Sequence, residues 1–116
     1  MKRVYHALIV AAALGVAGPG LAANSEFNGA AEMARGDYAA AEKIIVKQRK
    51  MFANDADLIV NLATVYRKTN RADEARVLYL RLLKLPNEDL EMAGRQTTSH
   101  RVARDALATM DLLAAR

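Results

Sequence analysis

The chain overlays on itself at an offset of 34 residues: Gly29 falls on Ala63, Gly36 on Asn70, Ala41 on Ala75 and Ile45 on Tyr79. A repeat of that length is one supersecondary unit, too small to bury its own apolar face, so it must stack on a neighbour. The offset therefore points to two stacked units. From Asn24 onward apolar residues recur every three or four positions and not every two, which makes the repeating unit helical. Composition agrees, because 24 alanines and only 5% aromatic residues favour helix over strand.

Four helices and a fifth follow from the spacing. The first, about 25–35, carries Phe27, Ala30, Ala31 and Ala34 and closes at Gly36, a residue suited to the left-handed conformation past a helix end. Asp37 then caps a second, about 38–52. Tyr38, Ala41, Ile44, Ile45, Gln48 and Phe52 share one arc of it, with Lys43, Lys47 and Lys50 opposite on a solvated face. After the break at 54–57, a third helix presents Leu58, Ile59, Leu62, Ala63, Val65 and Tyr66 and ends near Thr69, where Asn70 replaces glycine. The fourth, about 72–84, shows Ala75, Leu78, Tyr79, Leu82 and Leu83 before Pro86 stops it.

Leu62 and Ala63, Tyr66, the constrained small residue Ala75, Tyr79 and Pro86 make the second unit resemble the tetratricopeptide repeat. The first unit offers Gly29, the run Gly36, Asp37, Tyr38, and Ala41, and departs from the pattern at Asn28, Glu32 and Ala53. The resemblance implies an all-α solenoid of helix-turn-helix repeats. Repeat one would occupy about 24–53 and repeat two about 56–86. Between Leu85 and Gln96 the periodicity lapses, so 87–97 is read as a connector containing one short turn ended by Gly94. A capping helix over 98–115 follows, started by Thr97, Thr98 or Ser99 and carrying Val102, Ala103, Ala106, Leu107, Met110 and Leu113 on one face.

The resemblance also implies a use. In such proteins the first helix of each unit lines a concave groove that takes peptides. Here that face would present Asp57, Val60, Asn61, Thr64, Arg67 and Lys68, with Glu26, Ala30 and Met33 from the first unit. Asn61, Thr64, Arg67, Lys68 and Met33 are the expected partner contacts. Arg67 and Lys68 would pair an acidic group and Asn61 a peptide backbone; an equally simple alternative is that the two cations only solvate the end of their helix and favour its negative pole. The clamp that some family members use for chaperone tails is not reproduced at Val60 and Thr64.

The N-terminal segment reads as an address. Lys2 and Arg3 precede an uncharged run from Ala7 to Ala17, and Gly18, Pro19 and Gly20 then break it. This is the order of a secretory signal peptide over 1–22, with cleavage after Ala22 or Ala23 and a mature domain of 23–116. Export without any cysteine points to the periplasm or exterior of a Gram-negative envelope, where disulfides are optional.

Charge and chemistry narrow the function. The formal charge is +4, but without Lys2 and Arg3 the chain holds 15 basic against 13 acidic residues, no excess for nucleic acid. With two histidines and no cysteine the chain has no metal-ligand pattern, no cofactor motif and no catalytic motif; His100, near Asp105, lacks a nucleophile. The last helix mixes Arg101 and Arg104 with Asp105 and Asp111, unlike a membrane-surface helix. The sequence thus predicts an exported, non-enzymatic interaction module that binds a peptide or protein through its concave face. Two repeats plus a cap fall short of a self-sufficient stack, so the alternative is a self-associating structural subunit of the envelope, a homo-oligomer.

Overall fold

The computed structural model describes residues 6–8 and 28–115. Among them are five helices, α1 (Ala30–Ala34), α2 (Tyr38–Arg49), α3 (Ala56–Lys68), α4 (Ala72–Lys84) and α5 (Ser99–Ala114), and three strands, β1 (His6–Leu8), β2 (Asp89–Met92) and β3 (Arg95–Thr98). Each helix packs on the next in the sequence, and α3 also meets α5 and β1. The expected leader lies outside the described residues except for β1, as do residues 25–27 of the expected first helix.

Local chemistry sets the helix limits. Asp37 Oδ1 accepts from the Ala40 amide at 3.1 Å, and Asp55 Oδ1 accepts from the Leu58 amide at 3.3 Å, so each side chain satisfies a donor that its helix leaves over. Gly36 at φ 76° and Asn70 at φ 61° end the helix before each in the left-handed region, as the 34-residue overlay anticipates. Leu85 is extended at ψ 161°, the conformation that Pro86 imposes on its predecessor, and α4 stops there. Thr98 starts α5 by accepting from the Arg101 amide at 3.3 Å.

The core gathers on α3. Every residue from Ala56 to Ala63 is buried, as is Val65, whereas α2 buries only Ala41 and Ile45. A helix buried on every side over its first two turns belongs between neighbours, and each of its large apolar side chains, Leu58, Ile59, Val60, Leu62 and Val65, stabilises the fold by about 1.5–3 kcal/mol relative to exposure. Ala41 and Ala75, the paired small residues of the overlay, have no exposed surface. A Cβ on Gly29 would meet the Ala41 carbonyl oxygen and the Ile45 side chain at 3.2 Å, so only glycine lets the chain approach α2 this closely. Lys43, Lys47 and Lys50 are exposed as expected, but Phe52 is exposed too, since α2 ends before it.

The segment read as a connector is a β-hairpin, which corrects the all-α assignment to a mostly helical fold with a small sheet. Strands β2 and β3 pair antiparallel with Asp89 opposite Thr98 and Met92 opposite Arg95. Ala93 at φ 50° and Gly94 at φ 76° make the two-residue turn, in which both central residues take positive φ. Gly94 therefore closes a hairpin and not a helical turn. The hairpin is pinned to α5: the Ser99 amide donates to the Glu88 carbonyl at 2.8 Å, and the Glu88 amide donates back to Ser99 Oγ at 2.9 Å. His100 is half-buried, and its Nε2 donates to the Leu85 carbonyl at 2.7 Å.

Candidate partner-binding site

Helix α3 runs through the middle of the fold, and its C-terminal half reaches a cleft of about 390 Å³. Thr64 and Arg67 line it from α3 and Tyr79 from α4, while the hairpin contributes Met92, Arg95 and Thr97. Helix α5 closes the far wall with Val102, Asp105, Ala106 and Thr109. The hydroxyls of Thr64 and Thr109 donate to carbonyls one turn back on their own helices, Val60 and Asp105, both at 2.9 Å. With its proton committed in this way, each hydroxyl has only lone pairs left to offer, and lone pairs receive N–H groups. Arg67 and Arg95 supply two positive charges against the single carboxylate of Asp105. The lining therefore carries net positive charge beside hydroxyl acceptors.

The structure sorts the expected contacts. Thr64 and Arg67 come together at the cleft, both partly exposed. Lys68 is exposed but lies outside the cleft lining. Asn61 and Met33 are corrected: both are buried, Asn61 at 0% exposure and Met33 inside the hydrophobic cluster, so neither is within reach of a partner in this structure. Asn61 Nδ2 donates to the Asn28 carbonyl at 3.1 Å and so ties α3 to the segment ahead of α1. Asp57 and Val60 are buried as well, as is Ala30 at the start of α1, and Glu26 lies outside the described residues.

Sequence reasoning missed Arg95, Thr97 and the α5 wall, because it treated 87–97 as a connector and α5 only as a cover. A signal existed. Leu90 and Met92 alternate with Asp89 and Glu91 ahead of a small residue and glycine, which is the period and turn chemistry of a hairpin.

A second polar cluster lies between the repeats. Arg71, in the loop before α4, makes a two-pronged ion pair with Glu42 of α2, its Nη1 at 3.1 Å from Oε2. Its guanidinium lies 4.5 Å from the centre of the Tyr66 ring. The hydrogen bond from Arg71 holds the Glu42 carboxyl below its ordinary range, and the same bond raises Arg71. Burial, followed by the Glu42 charge, pushes the Tyr66 hydroxyl up. The cluster joins α2 to the junction of α3 and α4, a packing role and not a ligand site.

Among the described residues no group of acidic or histidine side chains is arranged to hold a metal ion, and no helix is long and apolar enough to cross a membrane. A family model described as Tetratricopeptide repeat matches residues 32–94, more than half of the chain. The match takes in α2, α3, α4 and the first strand of the hairpin. No curated protein and no solved structure matches the chain significantly.

Proposed function

This chain belongs to the tetratricopeptide repeat family, whose repeats are generally non-catalytic protein-interaction modules, and we propose that it is an exported member that captures a peptide or protein partner in the cleft between α3, the hairpin and α5. The observation that carries the reading is the meeting of Arg67 and Arg95 at one cleft from elements remote in sequence, beside threonine hydroxyls that offer acceptors. An acidic side chain or terminal carboxylate of the partner pairs with the two guanidinium groups, and neighbouring peptide N–H groups bond to Thr64 and Thr109. Export to a periplasm or beyond rests on the order of charge, apolar run and small residues before Ala23. N-terminal sequencing of the protein recovered outside the cytoplasm is expected to begin at Ala23 or Asn24; an intact Met1 in a membrane fraction refutes the processing.

The binding test compares charge reversals in folded variants of unchanged melting temperature. Arg67→Glu with Lys68→Glu is expected to weaken capture of an acidic partner by about 2 kcal/mol or more, through lost pairing and new repulsion, most of it from Arg67. Reversal of Lys43, Lys47 and Lys50 on the exposed face of α2 changes mainly the salt dependence. Outer lysines that matter more than Arg67 would place the contact on the convex side. A self-associating envelope subunit is the second reading. It is favoured by the exposed apolar side chains Val77 and Leu80 on α4 and Leu112 and Leu113 on α5. A concentration-dependent mass in sedimentation that Leu112→Glu abolishes would select it.

A further inference from the structure

Strand β2 has two hydrogen-bonding edges, and they are used differently. Met92 and Arg95 flank a two-residue turn, which makes them a mutually hydrogen-bonded pair; alternation then directs the β3 bonds to Leu90 and Met92. The backbone groups of Asp89 and Glu91 consequently face the other edge. There β1 lies parallel to β2, with His6 opposite Glu91 and Leu8 opposite Met92, and its register shifts between those two pairs. The same strand packs on α3. It is three residues long, so its few bonds barely offset the entropy of ordering it. A covering strand this short and irregular is exchangeable.

We propose that the β2 edge is a strand-addition site for an extended segment of a partner polypeptide, running parallel to β2, which His6–Leu8 occupies in cis. Main-chain groups of β2 provide the affinity, and its flanking side chains provide the selectivity. Asp89 and Glu91 stand on the acceptor strand, so the segment that adds to it is neutral or basic. Removal of the leader during export would bare the edge, and a bare edge recruits a strand. The site is distinct from the acid-seeking cleft, although Met92 belongs to both.

The test uses the full chain and a synthetic peptide with the sequence of Val4–Ala11. Ala7→Pro removes the central N–H of β1 and empties the edge, so this variant is expected to bind the peptide about tenfold or more tightly than the unsubstituted chain. N-methylation of the peptide at the position equivalent to Ala7 is expected to abolish binding, as is Glu91→Pro added to the chain. Glu91→Gln, which keeps the backbone N–H, is expected to leave binding within about twofold. Where Glu91→Pro disturbs folding by circular dichroism, the N-methylated peptide decides. Arg67→Glu is expected to leave this binding unchanged, so failure at the cleft and failure at the edge are read separately. Full binding of the N-methylated peptide, or no saturable binding to the Ala7→Pro chain, overturns the proposal. So does self-pairing of the Ala7→Pro chain in sedimentation, which assigns the edge to a second copy.

Discussion

Ala75 has no exposed surface and lies where α4 crosses its neighbours, whereas Ala108 on α5 faces solvent. A leucine at 75 must push helix axes apart or leave its rotamer, and a leucine at 108 meets water. Ala75→Leu is therefore expected to destabilise the fold by about 1–3 kcal/mol and Ala108→Leu by less than about 0.5 kcal/mol, read as thermal midpoints. Equal shifts would show that 75 is not a close crossing. At this scale the sequence was informative where a residue type has a narrow use. Asn70 in the left-handed region and Asp37 as a cap were both legible in advance. Asn61 was not. A polar side chain on the face that a family uses for ligands reads as a contact, and only the packing of the segment before α1 turns it into a buried tie to the Asn28 carbonyl.

Among the elements the hairpin departs furthest from expectation. Its strands have four residues each, too short for periodicity to outweigh the helical background of the chain. What holds it is nonlocal: Leu90 is 1% exposed in the common core, and Ser99 locks the hairpin's base to the start of α5. A β-branched residue in place of Gly94, at φ 76°, would strain the turn. Gly94→Val is accordingly expected to cost about 1–2 kcal/mol and to speed amide exchange at Leu90 and Met92 ahead of the helices. Protection unchanged across β2 would mean that the turn does not set the register. The same variant is expected to weaken ligand capture, because Arg95 and Thr97 reach the cleft only from a formed hairpin.

The whole molecule depends on how its repeats are joined, and one joint titrates. Glu42 is held below the ordinary carboxylate value of 4.5 by its hydrogen bond from Arg71. A carboxyl with a depressed native pKa contributes stability that is complete above its unfolded value and is lost as pH falls through the native one. Arg71, raised, stays charged throughout that range. The thermal midpoint is thus expected to fall as pH drops from about 5 towards 3, and Glu42→Gln is expected to flatten that fall while lowering the midpoint at pH 7. A variant with the full acid slope would place the sensitivity in other carboxylates.

Local spacing and residues with few conformational options were enough to set the helices. Apolar positions three and four apart made helices, and Asp37, Asn70 and Pro86 limited them. The 34-residue overlay paired Ala41 with Ala75, because a stack repeats its close crossings as it repeats its length. Tertiary structure alone decided which side of α3 remains reachable. Burial depends on what other elements cover, and the covering elements here are distant in the chain: the segment at Asn28 ties to Asn61, β1 packs on α3, and the hairpin with α5 leaves Thr64 and Arg67 at an open cleft. A helix carries its amphipathic pattern in its own residues, but a cleft is the space between surfaces that meet only after the chain has folded.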